Sequence, residues 1–140
     1  MKRDGTCAIT NSGLAVRFDS ECNEINTEPN TRVGTRRYMA SEVLDESLNK
    51  SSFESFKSDD MYAFGLVLWR RTLTGEKVAQ CEDYQLLYHN CVPSDPSFED
   101  MYQMVWVKGA RHEIPARWNS TETLRTLFKV ISDAGITSQL

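Results

Sequence analysis

The sequence has little of what a metal centre needs. Its four cysteines, Cys7, Cys22, Cys81 and Cys91, form no C-x-x-C pair, and only His89 and His112 could join them. A zinc site wants clustered thiolates and imidazoles, so none is expected. A secretory leader is also missing from the opening residues, MKRDGTCAITNSG, which have basic groups but no apolar stretch behind them. The four thiols are therefore expected to be reduced, in an intracellular chain, and buried as small hydrophobes. Long apolar runs are lacking: the longest, Met61 to Trp69, ends at Arg70 and is about half of the roughly 20 residues of a spanning helix. Positive charge is not in excess. Lys and Arg number 16 against 20 Asp and Glu, a net charge of -4, which argues against general binding of nucleic acid or anionic membranes. There are no internal repeats and no low-complexity stretch.

The chain has 140 residues, 40% hydrophobic and 26% charged, the size and balance of one folded domain. Thr6 to Thr10 and Leu14 to Val16 are β-prone runs around Asn11-Ser12-Gly13, which predicts a hairpin. Arg17 to Arg37 is polar, with Pro29 and Gly34, and reads as a long surface loop. Ser41 to Leu48 predicts a short amphipathic helix. Ser58 is a good N-cap for a helix over about 58–72, with Asp59 and Asp60 in its first turn. The MYAFGLVLW run is apolar on nearly every face, as in a helix buried all round. Residues 73–91 look irregular. Asp95 as N-cap and Pro96 as the first helical residue open a helix over about 96–108, with Phe98, Met101, Met104 and Val105 on one stripe and Gly109 as the stop. Asn119 with Glu122 resembles a capping box. Leu124, Leu127, Phe128 and Ile131, followed by Gly135, predict a last helix over about 120–134. The fold class is mainly α with a short β-hairpin.

Several words in the sequence carry a resemblance. VGTRRYMASEVLDESLNK resembles the end of a protein-kinase activation segment, and CAITNSGLAV the strand–turn–strand around the D-F-G element. DDMYAFGLVLW resembles the central buried helix of the kinase C-lobe. YQLLYHNCVPSDPSFEDM is similar to a stretch of the type I receptor serine/threonine kinases of the transforming growth factor-β superfamily. NEINTEPNTRVGT and EVLDESLNK point to its bone morphogenetic protein branch, and CEDYQLLYHN and VKGARHEIPARW to an insect member of that branch. The resemblance runs from about Lys2 to about Ile131. It implies a single-pass plasma-membrane receptor with a cytoplasmic kinase, activated by a type II receptor, that uses ATP and Mg²⁺ to phosphorylate Smad proteins. Residues 1–140 would then be a partial kinase domain of C-lobe type, lacking the N-lobe and catalytic loop. Its activation segment would span about 11–42. With no transmembrane segment, the chain itself is expected in the cytoplasm.

The departures from that pattern bear on chemistry. No glycine-rich loop, strand lysine or H-R-D-x-x-x-x-N loop occurs, so the chain is expected to be inactive and to bind neither ATP nor Mg²⁺ well. Asn11 stands where the family has a metal-binding Asp, an amide dipole in place of a charge. Asn11 to Gly13 is also simply a good turn. Ser41 replaces the Pro of the Ala-Pro-Glu element. Glu42 stays, but the Arg that pairs with it in the family has no counterpart, so Glu42 is expected to be exposed or mispaired. Thr35 matches a Thr that shapes the substrate groove. Arg36 and Arg37, just before Tyr38, match a basic pair beside that groove, with a solvated basic turn as the plainer reading. Asp60 matches the anchor beneath the catalytic loop, with a helix-start acid as the plainer reading. Arg70 and Trp106, where the family usually has Glu and Cys, look like drift. Trp118 is expected to fill the core between the last two helices. The apolar helix, short of its usual cover, predicts marginal folding or dependence on a partner. The alternative to a kinase piece is a non-catalytic, pseudokinase-like module that competes for Smad or receptor partners.

Overall fold

The computed structural model describes residues 4–6, 8, 12–26, 32–73, 85–110 and 122–133. Cys7, Asn11, Cys81, His112, Trp118, Asn119 and Gly135 lie outside them. The architecture is helical with one two-stranded hairpin, the pattern of a partial kinase-like chain.

Of the expected hairpin around Asn11-Ser12-Gly13, Cys7, Ile9, Thr10 and Asn11 lie outside the described residues, and a described hairpin follows it. Ser12–Leu14 is a single 3₁₀ turn, and the strands are β1 (Arg17–Asp19) and β2 (Glu24–Asn26), inside the stretch read as loop. They pair antiparallel, with Phe18 opposite Ile25. The turn decides the place. The Asp19 carboxylate accepts the Glu21 N–H at 2.9 Å, and Asn23 takes the left-handed φ of 56° that Asn tolerates. Phe18 stacks on Phe53 with ring centroids 4.4 Å apart, which ties the hairpin to the helical part.

Helix α1 (Ser41–Leu44) is one turn long and seats Val43 and Leu44 in the core. It does not reach Leu48, because Glu46 adopts φ 63° and the Asp45 carboxylate accepts the Ser47 N–H. Helix α2 (Phe53–Leu73, 21 residues) starts well before Ser58. The Ser58 hydroxyl donates to the Glu54 carbonyl at 3.0 Å, a bond made inside a helix rather than at its cap. On α2 only Leu66 is fully buried among the large apolar side chains described. Met61, Phe64 and Val67 are 48%, 51% and 48% exposed, so the helix is not covered on every side.

Helix α3 (Phe98–Tyr102) begins two residues later than expected, with Ser97 and not Asp95 as its N-cap. The Asp100 N–H donates to the Ser97 hydroxyl oxygen at 3.0 Å, and the Asp100 carboxylate accepts the Ser97 N–H at 2.8 Å. This is a closed capping box. The helix runs on as a π-helical turn over Gln103–Val107, where the Lys108 N–H reaches back to the Gln103 carbonyl. Gly109, at φ 57°, lets the chain leave. Helix α4 (Glu122–Asp133) packs against α2.

The core joins Met39, Val43, Leu44, Leu66, Leu87, Tyr88, Met101, Met104 and Val105. Cys22 and Cys91 are free and exposed, not buried, because both sit on polar turns. Among the described residues no helix is long and apolar enough to cross a membrane. Replacing Leu66 with Ala is expected to cost about 2–5 kcal/mol by opening a cavity, against about 1 kcal/mol for Ser97→Ala, which loses only the cap. Urea titration of the two variants checks that order.

Candidate functional site

The candidate site is built on residues 32–42. Gly34 takes φ 118°, a conformation that other residues avoid. The exposed Thr35 follows in extended form, and its carbonyl accepts the Tyr38 N–H at 2.9 Å to start a 3₁₀ turn over Arg36–Tyr38. A turn of that pitch sends three consecutive side chains in three directions.

Arg36 reaches the Asp95 carboxylate and the Pro96 carbonyl, each at 3.1 Å, and lies over the Phe98 ring at 4.9 Å. Arg37 turns inward and is only 5% exposed. Its guanidinium donates to the carbonyls of Leu87, of Pro93 at 2.5 Å and of Ser94 at 3.2 Å. The expected solvated basic turn is therefore wrong for Arg37. The loop after Leu87 turns its carbonyls toward this one cation, which is what a buried guanidinium needs. The Tyr38 hydroxyl accepts from Arg70 at 2.9 Å, so Arg70 has a structural role and is not mere drift. Arg32 supports the segment from behind. It donates to the Val43 and Leu44 carbonyls, pairs with Glu46 at 2.9 Å, and lies over the opposite partner of Arg36, the Phe98 ring, at 4.8 Å.

Met39 and Ala40 carry the chain into the core. The Ala40 N–H donates to Oδ1 of Asp59 at 3.2 Å, so α2 holds the segment where it enters α1. Asp59 is half-buried and Asp60 is exposed. The Ala40 contact is thus made by Asp59, whereas the anchor expected at Asp60 concerned a different contact, beneath the catalytic loop. The helical period carried the signal: Asp59, Tyr62 and Leu66 share the inward stripe, whereas Asp60, Phe64 and Val67 share the exposed one. Burial raises the Asp59 pKa above the ordinary carboxylate value. The Ala40 N–H opposes that shift, and the charges of Asp60 and Glu42 add to it. Glu42 is exposed, and its Oε2 accepts the Ser41 hydroxyl at 2.9 Å. Gly13 is exposed in its 3₁₀ turn, away from this constellation.

Comparison with known proteins fits this geometry into a family. Over 133 residues, 95% of the chain, the sequence is 50% identical to TGF-beta receptor type-1 of Rattus norvegicus and of Homo sapiens. It is 47% identical over the same length to activin receptor type-1B of Mus musculus. The chain belongs to the type I receptor serine/threonine kinases. It spans about a quarter, 26%, of the length of these curated relatives. No family model matches it.

The family implies use of ATP and Mg²⁺. Asn11, which the resemblance matches to the family's metal-binding carboxylate, lies outside the described residues. Among the described residues no group of three or more His, Cys, Asp or Glu is placed to hold a metal ion.

Arg37→Met leaves the Leu87, Pro93 and Ser94 carbonyls without their donor and is expected to cost several kcal/mol. Arg36→Ala breaks an exposed pair and should cost about 0–1 kcal/mol. Chemical denaturation distinguishes the two. Asp59 gives a pH signature. Its folded pKa lies above the unfolded value, so its contribution to stability is full below that value and is lost as pH rises through the folded pKa. Asp59→Asn, which keeps an oxygen for the Ala40 N–H, is expected to gain stability over the parent as pH rises through that window. A melting-temperature series from acid to neutral pH checks it.

Proposed function

We propose that the chain is the peptide-facing part of a type I receptor serine/threonine kinase and does not itself transfer phosphate. In the longer protein the activity would be ATP- and Mg²⁺-dependent phosphorylation of Smad proteins, at the cytoplasmic face of the plasma membrane, after activation by a type II receptor. NEINTEPNTRVGT and EVLDESLNK favour the bone morphogenetic protein branch.

One observation supports this reading above the others. Residues 35–42 are held from both sides, by Arg37 against the loop after Leu87 and by Asp59 against Ala40, while the phosphate-positioning motifs do not occur in the sequence. Phosphoryl transfer is catalysed by positioning and by charges placed on the transferring group. A chain with the groove segment but without those groups can present a peptide surface and no more. On this reading Thr35, Arg36 and Tyr38 line the substrate side, and Glu42 closes the segment.

The exposed Met61, Phe64 and Val67 favour a second reading, a non-catalytic module that competes for Smad or receptor partners. The test is incubation of the 140-residue chain with radiolabelled ATP, Mg²⁺ and a receptor-regulated Smad. No incorporation is expected, and label on the Smad would overturn the proposal. Retention of Smad on the immobilised chain without ATP supports the second reading, and no retention removes it.

A further inference from the structure

A groove of about 790 Å³ opens between α1, the first half of α2 and the π-helical turn, with the end of α4 at its rim. Its apolar surface includes Met61, 48% exposed, and Trp106, 60% exposed, beside the half-buried Leu48. Its carboxylates are Glu42 on α1, Glu54 and Asp59 on α2 and Asp133 on α4, of which Glu54 is paired with Lys57. Among the described residues none of the other three, Glu42, Asp59 and Asp133, forms an ion pair. The one lysine in the lining, Lys57, is held at 2.6 Å by Glu54.

We propose that this groove docks a basic segment of a partner protein that carries an apolar side chain between its cations. The volume is that of a ligand-sized cleft. Trp106 has the side chain most often found at the centre of a protein interface, and its face also attracts cations. Each of three elements contributes one carboxylate that is not in an ion pair, and these are not gathered into a metal-holding group. Charges spread in this way match cations spaced along a chain better than one small ion. A purely apolar occupant would strip water from those carboxylates without compensation. An anionic occupant, a nucleic acid or a lipid headgroup, would meet negative potential focused by the groove walls. The burial that disfavours the Asp59 charge would be eased by an incoming guanidinium or ammonium.

The proposal stands apart from the kinase reading, because it needs neither phosphotransfer nor Smad. Fluorescence anisotropy with the 140-residue chain tests it. The probe is a fluorescein-labelled peptide of alternating arginine and leucine. Arginine–serine and glutamate–leucine peptides of equal length are the controls. Binding of the arginine–leucine peptide alone is expected. Trp106→Ala and, separately, Met61→Ser should each weaken it by about tenfold with the far-UV circular dichroism unchanged. Either variant carries the test if the other does not fold. Equal binding of the arginine–serine peptide, unchanged affinity in a folded variant, or no binding at all would overturn the proposal. So would self-association of the chain that Trp106→Ala abolishes, since the groove would then be filled by a second copy.

Discussion

The arrangement depends on one buried cation. Arg37 lies in the core region with its guanidinium against the carbonyls of Leu87, Pro93 and Ser94. A charge removed from water is costly unless dipoles replace the solvent. Here they come from a stretch with no regular secondary structure, whose carbonyls are not used by a helix or sheet ladder. That stretch gains its shape from the same contact. Tyr88 within it is buried and takes the left-handed φ of 58°, and its neighbour Leu87 joins the core. Once Arg37 points inward, the geometry of a 3₁₀ turn sends Arg36 toward Asp95 and Phe98 and Tyr38 toward Arg70. Met39 then enters the core.

Asp59 works from the other side and by the opposite sign. A half-buried carboxylate accepts the Ala40 N–H at the point where the segment becomes α1. The cation and the anion do not pair with each other. Each instead binds main chain, so the segment is fixed by its backbone path.

Much of the fold was legible in the residues. The stripe of Phe98, Met101, Met104 and Val105 has helical period, and three of the four are buried in the core. Boundaries were less legible, because several residues look alike as caps. Ser58 with two acids resembles a helix start, yet Phe53 and Phe56 already belong to α2. Asp95-Pro96 has the right chemistry, but Ser97 closes a two-way bond with Asp100 that Asp95 does not make. The hairpin of β1 and β2 was not legible because strands of three residues show no alternation, and their location is set by Asp19 and Asn23 in the turn. At the site, charge alone could not separate Arg36 from Arg37, or Asp59 from Asp60. Phase on the helix separates the acids. The inward turn of Arg37 depends on carbonyls about fifty residues away and is invisible locally. Family membership was legible from long words of sequence, which periodicity does not use.

The π-helical turn at Gln103–Val107 has an evolutionary consequence. Such a turn accommodates an extra residue in an α-helix. It lets the consecutive Met104 and Val105 both face inward while Trp106, Val107 and Lys108 all face out. Each residue of an α-helix advances about 100° around the axis. Loss of one residue here would restore ordinary winding and swing Trp106 out of the groove wall without changing any side chain. The wall is therefore encoded by length as much as by composition. In this stretch a single-codon deletion is the more damaging event, and lineages should drift in residue identity while keeping their spacing.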